Sequence, residues 1–350
     1  MADAARLETS NPPQYHDRST TAGVMWTVTL CLLPAAGWGV YVFGGAALMV
    51  LAVAIGASVV AEGVIARMLG RDALRDGSAV LAGMLIGMSM PPAVPLFIPA
   101  VASGFAIVVV KWTFGGLGTN WMNPALAGRV FVFFSWTGAM TEWTLPATLP
   151  AAGDAVSAAT PLGIVRAGQA AQSGATGGPL ALLRGAGYPI SALDLQVTEW
   201  LNAHLLGPLG INLPSGYVDP FLGNVSGSIG EVSAVLLLAG TVLLFARRII
   251  TWHIPTAFFV SFAVLTRAFG GLAHGQGLFS GDVLFSVLSG GVLLVTFYMA
   301  TDPVTSPLGR TGKIIYASGA GALTVLLREL GGFPESVALA VIFMNIFVPL

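Results

Sequence analysis

Charged side chains are scarce in this chain, since Asp, Glu, Lys and Arg make up only 9% of its 350 residues. A water-soluble domain carries roughly a quarter charged residues, so this sequence could not cover a water-facing surface. The apolar residues, 55% of the total, stand in long runs, and the mean hydropathy is +0.82. The composition therefore predicts helices that cross a membrane.

Cysteine is almost absent. The single Cys31 excludes an internal disulfide, and it excludes an iron–sulfur cluster or zinc site held by this chain's thiolates alone. The histidines show no metal-ligand spacing, so we predict no protein-held metal. The formal net charge of −1 argues against a nucleic-acid-binding surface. The polar residues 1–22 lead directly into an apolar run without a signal-type cleavage site, so we expect the first span to be retained.

The apolar runs predict an all-α integral membrane protein with about ten transmembrane helices. The third run is too short for a full crossing and ends at Pro91-Pro92, which predicts a half-helix or a broken helix. The predicted spans lie near residues 23–43, 45–66, 78–90, 95–113, 123–140, 232–247, 254–273, 282–299, 314–328 and 335–349.

Basic residues set the predicted orientation, because cytoplasmic loops are rich in Lys and Arg. With ten crossings, three basic groups fall on one side together with both termini, and that side should be cytoplasmic. The chain then divides into a cytoplasmic tail (1–22), helices 1–5 (23–140), a long periplasmic segment (141–228) and helices 6–10 (229–350). The three groups are Arg67, Arg71 and Arg75; Arg247 and Arg248; and Arg310 and Lys313.

The two sets of five helices share an arrangement that predicts two repeats. In each, a basic inner end is followed by a glycine-rich span and then a proline-containing turn, at Pro91-Pro92 and at Asp302-Pro303. Internal repeats of this kind are common in membrane proteins that bind something at the repeat interface. The architecture alone would also suit a solute channel or a secondary transporter, and fold does not fix function.

One short motif in the periplasmic segment suggests covalent chemistry. Asp154, Ser157 and Thr160 stand at intervals of three residues, with Pro161-Leu162 after them, which is the pattern seen where a flavin transferase attaches FMN to a threonine. That chemistry needs a hydroxyl on a flexible, exposed strip, and Pro161 should keep a helix from running through the acceptor. The rival acceptor Thr176 follows Ser173-Gly174-Ala175 but has no Asp six residues before it and no Pro-Leu after it.

Several further blocks, in order and at similar spacing, resemble the RnfD/NqrB family over nearly the whole chain. Within the family, the short N-terminal extension and the acceptor Ser157-Ala158-Ala159-Thr160-Pro161-Leu162 favour the RnfD branch over the B subunit of the Na⁺-pumping NADH:quinone oxidoreductase. The blocks are Asp76–Leu81 with Pro91-Pro92, Lys111–Gly128, Gly227–Ser233, Met299–Pro307 with Gly309 and Lys313, Gly331–Glu335 with Asn345, and Pro349-Leu350.

The resemblance implies a membrane component of an ion-translocating oxidoreductase that is not active alone. The complex would pass electrons between ferredoxin and NAD and couple them to Na⁺ or H⁺ movement across the bacterial inner membrane. It implies FMN in phosphoester linkage to Thr160, a non-covalent riboflavin in the bundle, a flavin transferase, and the partners RnfA, RnfB, RnfC, RnfE and RnfG of an Rnf complex.

Other polar residues are candidates for binding a cofactor or lipid or for shaping the fold, but no specific motif distinguishes these roles. Lys111 and Arg129 flank a Gly/Asn-rich stretch containing Asn120 and Asn123, and they could pair with a flavin phosphate or with lipid headgroups. Glu62, Glu231 and Asp282 stand near predicted span ends, where an interfacial carboxylate costs little. Asp302 should cap a helix or shape its turn.

Overall fold

The computed structural model describes residues 20–71, 73–149, 157–171, 178–272, 277–331 and 336–349, and these residues are mainly helical. The first half contains α1 (Thr21–Phe43), α2 (Gly45–Met68), a 3-10 turn (Leu74–Asp76), α3 (Ser78–Met88), α4 (Phe97–Gly104, continuing as a π-helix over Phe105–Trp112), α5 (Pro124–Ser135) and α6 (Thr137–Met140).

The second half contains α11 (Ala234–Ala246), α12 (His253–Phe269), α13 (Val283–Leu288), α14 (Val292–Leu294, continuing as a π-helix over Val295–Met299), α15 (Arg310–Glu329) and α16 (Ser336–Ile346). Between the halves lie β1 (Trp143–Thr144), β2 (Ser157–Ala158), α7 (Pro161–Ala171), α8 (Pro179–Gly185), α9 (Ala192–Leu201, with a π turn at Asn202–Leu206 and a 3-10 turn at Gly207–Leu209) and α10 (Val218–Leu222).

The two N-terminal helices are each of membrane-crossing length. Helix α1 has 23 residues and begins where the Thr20 side chain accepts a hydrogen bond from the Gly23 N–H. Gly44, with φ +75°, ends it and starts the 24-residue α2. Among the described residues only these two helices are long and apolar enough to cross a membrane unaided, and six further apolar helices have 10 to 17 residues. The ten-span count therefore stays a prediction.

Helix α3 is short, as predicted, and ends before the paired prolines. Asp76, one residue before the N-cap Gly77, accepts the N–H of the first helical residue, Ser78, at 2.8 Å. The end of α3 is completed by the second half of the chain: the N–H groups of Ile229 and Gly230 donate to the carbonyls of Met90 (3.1 Å) and Met88 (2.7 Å). Backbone groups freed by a break inside an apolar bundle are thus satisfied by protein.

Within the predicted span 282–299 the helix breaks after Leu288, and the span itself stays a prediction. Gly290 and Gly291 adopt φ values of +69° and +71°, which residues other than glycine rarely adopt. The buried Arg328 of α15 donates from Nη1 to the Ser286 carbonyl (2.7 Å) and from Nη2 to the Ser289 carbonyl (3.1 Å). A distant guanidinium therefore replaces the helical hydrogen bonds that the break removes.

The two halves share this construction. Each has a short helix with an aspartate at its start: Asp282 is the N-cap of α13 and accepts the Phe285 N–H at 2.9 Å, whereas Asp76 precedes the N-cap of α3 and accepts the Ser78 N–H at 2.8 Å. Each later ends a long helical stretch near a buried cation, Lys111 or Arg328. These features support the predicted repeat, which otherwise stays a prediction.

The segment between the halves contains helices rather than an open strip. Buried Asp194 and Asp219 accept backbone N–H groups from Gly216 (2.7 Å), Asp219 (2.9 Å) and Ser191 (2.9 Å). Carboxylates that accept several N–H groups are well satisfied inside a protein. They tie α9 to α10. Nearby, β1 and β2 pair antiparallel, with Trp143 opposite Ala158 and Thr144 opposite Ser157.

Candidate functional site

The candidate acceptor Thr160 lies on the rim of a pocket of about 620 Å³, which we call the acceptor pocket. Its wall comes from α5, β1, the start of α7, the stretch Val225–Val232 and the break after α13. Residues from both halves and from the segment between them therefore meet here.

Thr160 is the N-cap of α7. Its hydroxyl oxygen accepts the Gly163 N–H at 3.0 Å, and its carbonyl accepts the Ile164 N–H at 2.9 Å. Pro161 starts the helix, because proline fits a first helical position where no N–H is needed. Thr160 is half-buried rather than on the expected exposed strip, whereas α7 begins at Pro161 and does not run through the acceptor, as predicted.

The residue before the acceptor is held by side chains from elsewhere. The Ser226 hydroxyl donates to the Ala159 carbonyl at 2.9 Å. The Tyr188 phenol oxygen accepts the Ser226 N–H at 3.0 Å and lies 3.1 Å from the Ser226 hydroxyl. Burial raises the pKa of Tyr188, so its phenol stays protonated at neutral pH. These bonds fix the acceptor segment against the pocket.

The pocket combines aromatic, polar and charged walls. Phe133 and Trp143 supply aromatic surface. Ser228 lines the pocket with no exposed surface, and within the described part of the chain its hydroxyl has no hydrogen-bond partner. A buried unsatisfied hydroxyl is unfavourable unless a ligand or water meets it. Arg129 contacts Glu231 at 3.0 Å, and Glu231 also lines the pocket. Aromatic surfaces beside an unpaired hydroxyl and a carboxylate suit a planar ligand with polar edges.

A second pocket, which we call the Lys111 pocket, has about 800 Å³ of space, part of it open to solvent, and shares no lining residue with the acceptor pocket. It brings together the three other predicted cofactor residues, Lys111, Asn120 and Asn123. Apolar residues of α1, α3 and α11 and the stretch Phe297–Val304 complete its lining. The sequence candidates therefore fall into two separate sites.

Lys111 and Arg129 each form a buried ion pair with a glutamate, so neither is available to a lipid headgroup and that alternative is wrong for both. Lys111 Nζ lies 2.7 Å from Glu62 Oε1, with side-chain exposures of 3% and 0%. Lys111 also donates to the Ser78 hydroxyl at 2.7 Å, and that hydroxyl donates to Asp76 at 2.5 Å. Glu62 and Glu231 likewise lie in the interior rather than at an interface.

The two asparagines differ in what they can offer a ligand. Asn123 caps α5, since its Oδ1 accepts the N–H groups of Ala125 (3.0 Å) and Leu126 (3.2 Å), and its Nδ2 donates to the Met299 carbonyl at 3.1 Å. Asn120 is 7% exposed, and its Oδ1 has no hydrogen-bond partner within the described residues. Asn120 is therefore the amide with capacity for a ligand.

The remaining predicted residues have varied outcomes. Asp154 and the rival Thr176 lie outside the described residues, and Ser157 is described only as part of β2. Asp302 shapes its turn as predicted, accepting the Val304 N–H and the Thr305 hydroxyl, both at 3.2 Å. Asp282 caps α13 and also accepts the Tyr217 hydroxyl.

Sequence reasoning missed the walls of the acceptor pocket. Phe133, Trp143, Tyr188 and Ser226 carry no local signal that links them to Thr160. Ser228 stands in the block Gly227–Ser233, whose resemblance to the family does not by itself connect it to the acceptor. Their proximity arises only from the tertiary fold.

Fold and site together define a helical protein with two helices of membrane-crossing length, two pockets between its halves, and a threonine hydroxyl that lines one of them. The model of the NQR2, RnfD, RnfE family matches residues 8–350. The chain belongs to this family, which confirms the resemblance inferred from the sequence.

Curated relatives are similar over nearly their full length. The D subunit of the proton-translocating ferredoxin:NAD(+) oxidoreductase complex of Clostridium ljungdahlii is 38% identical over 343 residues, covering 97% of this chain and 92% of the relative. The D subunit of the Na(+)-translocating ferredoxin:NAD(+) oxidoreductase complex of Acetobacterium woodii is 36% identical, covering 98% and 92%. The D subunit of the ion-translocating oxidoreductase complex of Stutzerimonas stutzeri is 37% identical, covering 95% and 90%.

Proposed function

We propose that this chain is the D-type membrane component of an Rnf-type complex, in which it relays electrons between ferredoxin and NAD through a flavin and so serves Na⁺ or H⁺ translocation. Its curated relatives are named as the D subunits of such ion-translocating complexes. We place it in the bacterial inner membrane with about ten crossings, the termini in the cytoplasm and residues 141–228 in the periplasm. The other Rnf proteins would be its partners.

The observation that carries the proposal is the position of Thr160 on the rim of the acceptor pocket. FMN held there by a phosphoester would supply one- and two-electron transfer. The phosphate would stand at the N-terminus of α7, where backbone N–H groups and the helix dipole favour an anion. Phe133 and Trp143 offer stacking surface, and the Ser228 hydroxyl is available to a polar ring edge.

We further propose that the Lys111 pocket holds the non-covalent riboflavin. The Lys111 cation is already paired with Glu62, and Asp302 also lines the pocket, so the lining that the structure describes leaves no unpaired positive charge for a phosphate. An isolated phosphate would be costly to bury there. The pocket therefore favours an uncharged flavin over FMN, and Asn120 Oδ1 would accept a ring or ribityl hydrogen bond.

The acceptor is tested by co-expressing the chain with a flavin transferase and viewing SDS gels under ultraviolet light. Denaturation removes non-covalent flavin, so a fluorescent band reports a covalent bond. We expect the band in wild type and in the control Thr176→Ala, and its loss in Thr160→Ala. A band lost only in Thr176→Ala would move the acceptor. No band in wild type, with the transferase active on a control protein, would favour a flavin-free channel or transporter.

The riboflavin site is tested on Thr160→Ala, which should lack covalent flavin. Acid extraction of the purified variant followed by chromatography should release riboflavin in near-stoichiometric amount. Release of FMN instead would contradict the charge argument, and release of no flavin would contradict the second site.

A further inference from the structure

The acceptor segment is fixed on both sides of Thr160. Before it, β2 pairs with β1, and the Ser226 hydroxyl holds the Ala159 carbonyl. After it, Leu162 and Val165 of α7 pack with residues of α8 and α13 in a separate hydrophobic cluster. The Thr160 hydroxyl itself is occupied by the Gly163 N–H at 3.0 Å. The segment is therefore packed against the rest of the protein and is not exposed to solvent as a free strand.

Covalent attachment needs the opposite arrangement. The Thr160 oxygen must bond to the flavin-side phosphorus of FAD while the bond from that phosphorus to the bridging oxygen breaks. AMP then leaves with the bridging oxygen, and the hydroxyl proton passes to a base of the transferase. The hydroxyl must therefore enter a second protein's active site, yet its neighbours Pro161 and Leu162 are buried in this one.

We propose that Ser226 and Tyr188 form a latch that holds the acceptor segment in the pocket, and that the latch must open before flavin can be attached. The inference rests on the proposed role of Thr160 as the FMN acceptor. Tyr188 fixes Ser226 through the Ser226 N–H, and Ser226 fixes Ala159. Both are positioning residues: in the open state Thr160 reaches the transferase, and in the closed state it returns to the rim of the acceptor pocket.

The latch makes an unusual prediction, because weakening it should speed attachment. If only the open state reacts, the rate follows the open fraction. Removing one hydrogen bond should raise that fraction about fivefold. Full-length protein made without transferase is mixed with transferase, FAD and Mg²⁺, and in-gel fluorescence gives the initial rate. We expect Ser226→Ala and Tyr188→Phe to react about fivefold faster than wild type.

Ser103→Ala is the matched control, because Ser103 also donates a buried hydroxyl to a carbonyl, that of Ala54 at 2.9 Å, away from both pockets. Its attachment rate should equal that of wild type. General damage to the fold would also expose Thr160, so each latch variant must in addition show a wild-type unfolding temperature, which separates local release of the segment from unfolding. Latch variants that react at the wild-type rate or more slowly would overturn the proposal.

A disulfide tests the same step from the closed side. Trp143 and Ala158 are opposite residues of the antiparallel pair, and paired residues there have Cα atoms about 4.5–5.5 Å apart, within the range a disulfide spans. Oxidised Trp143→Cys/Ala158→Cys should accept flavin at least about tenfold more slowly than the same protein after reduction. Ala158→Cys alone controls for the oxidant.

The two proposals fail differently. No covalent flavin on wild type would overturn Thr160 as the acceptor, and the latch with it. Covalent flavin on Thr160 with equal rates in oxidised and reduced double-cysteine protein would overturn the latch alone.

Discussion

The Lys111–Glu62 ion pair offers the sharpest test of the energetics. Both side chains are almost fully buried, and their charged atoms lie 2.7 Å apart. In Lys111→Met the carboxylate of Glu62 would lose its cation without gaining water. In the double variant Lys111→Met/Glu62→Gln both charges are gone, and the matched single variant Glu62→Gln completes a double-mutant cycle.

The magnitudes follow from the geometry. At 2.7 Å and an effective dielectric constant of about 20, two unit charges attract by about 6 kcal/mol. Desolvation offsets much of this attraction, so a buried pair adds little net stability, but removal of one partner costs about 3–5 kcal/mol. We therefore expect Lys111→Met to lose about 3–5 kcal/mol and the double variant to lose much less.

Thermal unfolding of purified protein in detergent measures the difference. At about 2 °C for each kcal/mol in a chain of this size, Lys111→Met should unfold roughly 6–10 °C below wild type. The double variant should recover more than half of that loss. Equal losses in the single and the double variant would show that the pair does not act as two coupled charges, and an unchanged Lys111→Met would refute the buried pairing itself.

Three further outcomes are expected. Asn120→Leu should abolish acid-extractable riboflavin while the covalent band persists, because the unpaired Oδ1 of the Lys111 pocket is removed; retained riboflavin would argue against that contact. Gly39→Ala should lower the unfolding temperature, because a Cβ there would lie 2.0 Å from the Ile229 carbonyl oxygen, whereas Gly37→Ala, with nothing within 4 Å, should not. Asp219→Ala should expose the segment between the halves to proteolysis, because the N–H of Ser191 loses its acceptor; an unchanged cleavage rate would contradict that role.

The parts predicted well from the sequence are those that local residues determine. Pro91-Pro92 ends α3 because proline lacks an N–H and cannot continue a helix. Asp302 shapes its turn through residues two and three positions away. The acceptor motif is local as well, so Thr160 could be chosen from the sequence without knowledge of any pocket, and its role as acceptor stays a prediction.

The parts that failed depend on distant partners. The break after Leu288 was missed because an apolar run that contains two glycines still looks like a membrane span in the sequence. The Ser289 carbonyl, which the break leaves without a helical donor, accepts from Arg328, 39 residues further along the chain. The acceptor's docking was missed for the same reason, since Ser226 lies 67 residues from Ala159. Lys111 and Arg129 were assigned to lipid or phosphate because no pattern in the sequence pairs them with Glu62 and Glu231.

The hydrogen bonds that close the end of α3 bear on how the protein is made. The carbonyls of Met88 and Met90 accept the N–H groups of Gly230 and Ile229, respectively. These donors are synthesised about 140 residues later, so the end of α3 lacks its hydrogen-bond donors while the first half leaves the ribosome. Gly230 gives this contact room, since a Cβ there would lie 2.5 Å from the Met88 Cβ. Until Gly230 has been synthesised, the carbonyls at the end of α3 have no hydrogen-bond donor from the second half of the chain. Synthesis of the first half alone should therefore yield a substrate for membrane quality control, and co-expression of the two halves as separate chains should rescue it.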